Sequence, residues 1–269
     1  MWMLTNYIDV HAHIQDPAFD PDRGEVVARM REGGIAAIVV GTDYEMSKGA
    51  VLLAEKHENL FAAVGLHPTD NQGERFEMAE YKKLAEGKKV VAVGECGLDY
   101  FRIAPGDREI EKVRQKKNFE AQVEFAAALS LPLMIHCRNA HEDMLGILGA
   151  KKKEHGEKLR GDIHFFSAGE DIAKQYLDLN FTLSFTGVVT FARDYDDALR
   201  YAPLGMIMSE TDCPYAAPVP YRGKRNEPSF VREVVRRISE VRGEDFERVR
   251  KAMVENAKRV FLSGRDLLI

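Results

Sequence analysis

The chain has 269 residues, 45% of them apolar and 30% charged, and a formal net charge of −5. This composition fits a globular protein with a large core; no uncharged apolar run is long enough to cross a bilayer, and the opening MWMLTNYID lacks the features of a secretory signal, so a cytoplasmic address is expected. The charge provides no overall basic field, so a nucleic-acid partner would have to be held by local basic groups or by metal ions.

Short β-branched or apolar runs predict strands over residues 7–13, 36–42, 61–67, 90–96, 132–137, 161–166, 181–187 and 205–212. Between them lie segments with helical spacing of apolar residues, such as 25–34, which ends in a glycine pair suited to a C-cap, and 111–130. Alternation of this kind requires parallel strands joined by right-handed crossovers, and nearly continuous apolar strands imply a sheet covered on both faces. Eight such units favour an α/β fold closed as a (β/α)8 barrel over an open doubly wound sheet. No linker or shift in composition divides the chain, so residues 1–269 read as one domain. Residues 244–262 read as an added helix or helix pair closing one end of the barrel. The run Lys151 to Lys153 falls at a helix end, as a solvated face.

The three cysteines, Cys96, Cys137 and Cys213, include no CxxC pair, which argues against a disulfide framework, a disulfide-linked partner or a zinc ribbon. Each directly follows a residue suited to binding metal, so strand alternation turns it toward the helices as a small packing group.

The unusual residues fall at strand ends. In DVHAH, His11 and His13 point to one side, with Val10 and Ala12 expected on the other. Glu95, His136, His164 and Asp212 occupy matching positions near the ends of strands four, five, six and eight. Barrel enzymes build their sites at the C-terminal ends of the strands, so six metal-competent side chains are expected to meet in one bowl. Four imidazoles and two carboxylates exceed the needs of one tetrahedral ion. They suit two divalent cations, with Glu95 as the natural bridge. A nitrogen-rich set fits Zn or Mn more readily than Mg, although water and substrate oxygens could complete any of the three. His67, at the end of strand three, reads as a second-layer group or phosphate contact. Further candidate substrate contacts are Tyr100, Arg102, Arg138, Arg222, Lys224 and Arg225, with Arg138 and Arg225 foremost. His57, His141 and His155 read as surface histidines.

The succession DVHAHI, GLHP, GECGLDYFR, MIHCR, IHFFSAG and ETDCPYAAPVPYRGKRNEP resembles the TatD family of metal-dependent deoxyribonucleases, within the amidohydrolase-like superfamily. The resemblance runs from residue 8 to about 230. It implies a distorted TIM barrel and hydrolysis of DNA phosphodiester bonds, commonly from the 3′ end, with single-stranded or frayed DNA as substrate. It further implies that His11, His13 and Asp212 bind one metal, that His136 and His164 bind the second, and that Glu95 bridges them. Phe165 stands where the family often has cysteine, Ala168 interrupts the usual Phe-Ser-Gly, and Cys213 replaces a serine; none of these removes a ligand.

Two metals suit phosphodiester hydrolysis, and Asp212 is placed to accept a proton from the attacking water. A competing reading is an esterase or amidohydrolase on the same barrel, acting for example on aminoacyl-tRNA. Cyclic-amide hydrolases of this type usually bridge with a modified lysine, where this chain has Glu95. A non-catalytic barrel with a structural metal is a third reading, opposed by the lack of thiolates and by more ligands than one closed site takes up.

Overall fold

The computed structural model describes residues 5–70 and 73–263. Residues 1–4, part of the stretch read for a leader, and residues 264–269, the end of the span read as one domain, lie outside the described residues. Eight parallel strands follow one another around one sheet in sequence order. They are β1 (Tyr7–Ala12), β2 (Ile35–Val40), β3 (Leu60–Val64), β4 (Val90–Asp99), β5 (Leu133–Arg138), β6 (Gly161–Ile163), β7 (Thr182–Phe185) and β8 (Ile207–Ser209). Each is followed by a helix: α1 (Arg23–Glu32), α2 (Tyr44–Lys56), α3 (Met78–Ala85), α4 (Arg108–Leu129), α5 (His141–His155), α6 (Glu170–Asp178), α7 (Asp196–Tyr201) and α8 (Val231–Arg242), with α9 (Phe246–Ala257) added after the last. The expected (β/α)8 barrel with extra C-terminal helices is therefore what the chain forms. Among the described residues no helix is long and apolar enough to cross a membrane.

Helix boundaries follow local chemistry. Asp43 caps α2 by accepting from the Met46 amide at 2.8 Å, and Asp245 caps α9 by accepting from the Arg248 amide at 2.9 Å. The predicted glycine pair ends α1, with Gly33 at the cap and Gly34 at φ 64. Pro228 opens the turn that leads into α8, as the NEP sequence suggests.

The barrel closes between its first strand and the segment just past β8. Ala12 pairs with Cys213, the Asp212 amide donates to His11 O at 2.9 Å, and the His13 amide donates to Cys213 O at 2.9 Å. Inside the ring, Ile8, Val10, Ile38, Phe61, Met134 and Met208 form one apolar cluster with Val254, Ala257, Val260, Phe261 and Leu262. The residues at and after the end of α9 thus close one end of the barrel. Outside the ring, the helices pack on a larger cluster that includes Ala12, Cys96, Cys137 and Cys213. The cysteines point as expected; Val10 does not.

A strand irregularity accounts for Val10. Along β1 the pairing runs from Asp9 opposite Ala37 to Ala12 opposite Val39, so two residues face one and the register shifts. A bulge of this kind reverses the phase of alternation. Ile8 and Val10 face the axis below it, and His11 and His13 face the axis above it. β4 repeats the device: Val93 opposite Leu133 is followed by Cys96 opposite Ile135, with Gly94 and Glu95 in the extra step. Both strands use the irregularity to aim a polar side chain into the bowl.

Candidate metal centre

The six predicted residues converge, and Glu95 stands at their middle. Its Oε2 lies 3.3 Å from His11 Nε2 and 3.8 Å from His13 Nε2. Its Oε1 lies 2.9 Å from His136 Nδ1, 3.3 Å from His164 Nε2 and 3.5 Å from His67 Nε2. Asp212 Oδ1 closes on His13 Nε2 at 3.3 Å and on His11 Nε2 at 3.9 Å. His11 Nε2 and His13 Nε2 are 3.2 Å apart, so two imidazole nitrogens and two carboxylates point at one volume. Asp212 reaches it from a left-handed backbone, φ 55, in a loop beyond β8.

In the bowl, donor atoms within 4.8 Å of one another form three groups: His11, His13 and Asp212; His11, Glu95 and His164; and His67, Glu95 and His136. The last two differ from the pairing that the family resemblance implies. His164 stacks on His11 with ring centroids 3.6 Å apart, while His136 shares Glu95 with His67. His67 belongs to the cluster itself and not to a layer behind it.

The distal nitrogens of His13, His67, His136 and His164 are held by protein acceptors, which fixes which nitrogen faces the bowl, whereas the buried His11 Nδ1 has no hydrogen-bond partner among the described residues. His13 Nδ1 donates to Val40 O at 2.8 Å, which turns Nε2 inward. His67 Nδ1 meets Asp70 at 2.8 Å, His164 Nδ1 meets Glu210 at 3.2 Å, and His136 Nε2 meets Asp99 at 3.1 Å. This pattern of a carboxylate or carbonyl behind an imidazole is how metal-binding histidines are oriented. It is the observation that makes the donor set fit divalent cations.

Electrostatics agree. Burial alone would push the Glu95 carboxyl up, but the imidazoles of His67, His164 and His11 outweigh it and hold Glu95 well below the usual carboxylate range. Burial likewise pushes His13 down, yet Asp212 and Glu95 lift it to about 9. Without a cation the carboxylates of the bowl hold protons on its imidazoles, positive charge that a bound metal would replace.

Behind His164 lies a buried relay that sequence reading missed. Glu210 Oε1 accepts from the Phe165 amide at 2.6 Å, and Glu210 Oε2 accepts from Ser184 Oγ at 2.7 Å. Ser184 Oγ also lies 2.5 Å from Asp162 Oδ2. One hydroxyl proton serves one acceptor, so the second contact takes its proton from Asp162. Burial, aided by the Glu210 charge, pushes the Asp162 carboxyl up to about 8. An acid raised in the folded state adds stability that is complete below its unfolded value, near 4, and is lost as pH rises toward 8. Asp162→Asn removes this titration. Between pH 5.5 and 8 the variant is expected to gain roughly 1–3 kcal/mol relative to the parent, read from urea midpoints. Parallel stability curves would refute the assignment.

The bowl opens into a cavity of about 540 Å3 lined by the cluster residues other than His11 and by Asp16, Phe101, Arg102, Arg138, Asn139 and Tyr215 among others. The predicted substrate contacts divide. Arg138 lines the cavity and is exposed. Arg102 lines it too, engaged with Asp70 at 3.5 Å and Asp99 at 3.7 Å. Tyr100 is buried and turned away, its hydroxyl donating to Asp143 at 2.7 Å, because β4 runs on to Asp99 and presents the next residue, Phe101, to the mouth. Arg225 is no free cation: it is bidentate on Asp22 at 2.8 and 2.6 Å and ties its loop to the N-terminus of α1. Arg222 stacks on Phe191 at 3.8 Å and Lys224 lies over Tyr221, both away from the cavity lining. His57 and His155 are partly exposed as expected; His141 instead packs on Cys137 and Tyr176 and lines the cavity.

A closed (β/α)8 barrel with imidazoles and carboxylates gathered at the C-terminal ends of its strands defines a metal-dependent hydrolase of the amidohydrolase-like type. Comparison with known proteins narrows the class. The family model described as TatD related DNase matches residues 8–262, and the chain belongs to the TatD family. It is 38% identical to the uncharacterized metal-dependent hydrolase YabD of Bacillus subtilis, over 94% of this chain and 98% of that one. It is 32% identical to the 3′-5′ ssDNA/RNA exonuclease TatD of Pectobacterium parmentieri, with the same coverage. The crystal structure of the TatD homologue YjjV from Escherichia coli superposes with a TM-score of 0.88 at 27% identity, covering 97% of this chain and 99% of that one.

Proposed function

We propose that the protein is a phosphodiesterase that uses two divalent cations to remove nucleotides from the 3′ end of single-stranded DNA. The observation that carries this reading is the division of one buried carboxylate, with Glu95 Oε2 facing His11 and His13 and Oε1 facing His136, His164 and His67. Relatives named as 3′-5′ ssDNA/RNA exonucleases support the substrate class and polarity. Of two cations, Zn, Mn or Mg, one would be held by His11, His13 and Asp212 and the second by His136 with His164 or His67, and Glu95 would supply a carboxylate oxygen to each side.

When bound, such cations lower the pKa of a water and offset charge on the phosphoryl oxygens. The chain supplies the rest. Asp212, which lines the cavity, takes the proton of the attacking water. Asp99, Asp70 and Glu210 keep the imidazoles turned inward. Arg138 meets the substrate backbone at the mouth.

The test is an end-labelled single-stranded oligonucleotide with Mn, Zn or Mg added, read for products over time. A ladder shortening from the 3′ end, abolished by a chelator, is the expected result. Internal cuts alone overturn the exonuclease reading. No cleavage, with deacylation of an aminoacyl-tRNA in the parallel assay, replaces the nuclease with an esterase.

A further inference from the structure

Phe101 is a large apolar side chain at the edge of a strongly polar cavity, 59% exposed yet lining it. A single exposed aromatic is ordinary on a protein surface; what sets Phe101 apart is its place at the mouth of the cavity and the cation lying over its ring. Arg138, the last residue of β5, lays its guanidinium 3.9 Å from the centroid of the ring. Among the described residues the Arg138 guanidinium makes no hydrogen bond or ion pair, whereas that of its neighbour at the mouth, Arg102, is engaged by Asp70 and Asp99. A guanidinium stacked by one face keeps its N–H fork free in its own plane, the arrangement that takes a phosphate. The remaining surface of the ring is open to a second flat partner.

Tyr215 enters the same cavity from the segment after β8 and is also 59% exposed. The two rings border one mouth, Phe101 from just past β4 and Tyr215 from the segment after β8. A flexible polyanion with flat apolar groups matches this combination of a free cation and paired aromatic walls.

We propose that Phe101, backed by Arg138, is a stacking subsite for the nucleobase of an unpaired strand end. The inference rests on the nuclease reading and adds to it how the strand is recognised: through the face of a base, without regard to sequence. A base held in a duplex has no free face, so a blunt duplex end engages the ring poorly and is cut more slowly than a single strand.

The test compares two single-stranded oligonucleotides, one normal and one whose 3′-terminal residues are abasic, on the parent, Phe101→Ala and Phe101→Trp. Stacking on an aromatic side chain leads to an expected rise in KM of about 5- to 100-fold when either the base or the ring is removed, with kcat little changed. Removing both adds little further, and Phe101→Trp restores the parent KM on the normal strand. A second readout needs no turnover: a 2-aminopurine placed at the 3′ end is quenched on binding to the parent and stays bright with Phe101→Ala. If the parent prefers neither oligonucleotide, or if Phe101→Ala leaves KM and quenching unchanged while cleavage proceeds, the subsite is wrong and the nuclease stands. If the parent cleaves neither strand under any metal and the 2-aminopurine end is not quenched, both readings fall. Quenching lost in Phe101→Ala without cleavage keeps the base-binding site and removes the nuclease.

Discussion

Glu95→Gln is expected to lower kcat/KM on single-stranded DNA by about 10³-fold or more. The substitution keeps size and shape, so the barrel should fold, but it removes a charge that both sides of the bowl share. One carboxylate oxygen becomes an NH2 group, which donates where His11 and His13, or His136 and His164, need an acceptor or a cation. Because the imidazoles keep Glu95 ionised well below its ordinary range, the parent retains this charge at any working pH. Metal content should fall in parallel, measured on protein reconstituted and then desalted. Asp212→Asn should also slow cleavage severely while leaving the His136 side of the bowl intact. The reading would be falsified if both variants cleaved DNA at the parental rate.

The second large effect is structural and lies two residues further along β4. Gly97→Ala is expected to cost about 4 kcal/mol or more and to disable the site. Gly97 has φ 141, a region L side chains avoid, and a Cβ there would lie 2.0 Å from the carbonyl oxygen of His136 and 2.9 Å from its carbonyl carbon. Backbone cannot rotate away as a side chain can, so β4 and β5 must separate. His136 lies on one of these strands and Glu95 on the other, and they are linked at 2.9 Å. Gly146→Ala is the control. It sits inside α5 with nothing within 4 Å of the added carbon, and should be neutral or stabilising by up to about 1 kcal/mol. Urea midpoints and metal uptake report both variants. Equal stability of the two would show that the strands tolerate the approach.

Much of the barrel could be read from the sequence because strand and helix periods alternate cleanly, and the six inward residues stood out as polar groups in apolar strands. What escaped reading has identifiable causes. Val10 faces the axis because a bulge changes the phase of β1, and a bulge leaves no mark in a run of residues that are all buried. The same problem separates Tyr100 from Phe101: where an irregular strand ends decides which of two adjacent aromatics meets solvent. Asp99 and Glu210 look like ordinary acids near strand ends, and only their contacts with His136 and His164 reveal what they hold in place. Arg225 looked like a free loop cation because its partner, Asp22, is two hundred residues away in sequence. Charge pairing across such separation depends on how the barrel closes, which periodicity does not encode.

Val260, Phe261 and Leu262 pack under Ile8, Ile38 and Phe61, so the base of the barrel comes from residues that follow all eight strands in sequence. A ribosome therefore delivers every metal-binding side chain before it delivers the surface on which their strands rest. A barrel formed before that last stretch emerged would leave the apolar residues at its base uncovered. Translation order thus places the support of the barrel last: the end opposite the bowl can be closed only when every residue of the bowl has already been made.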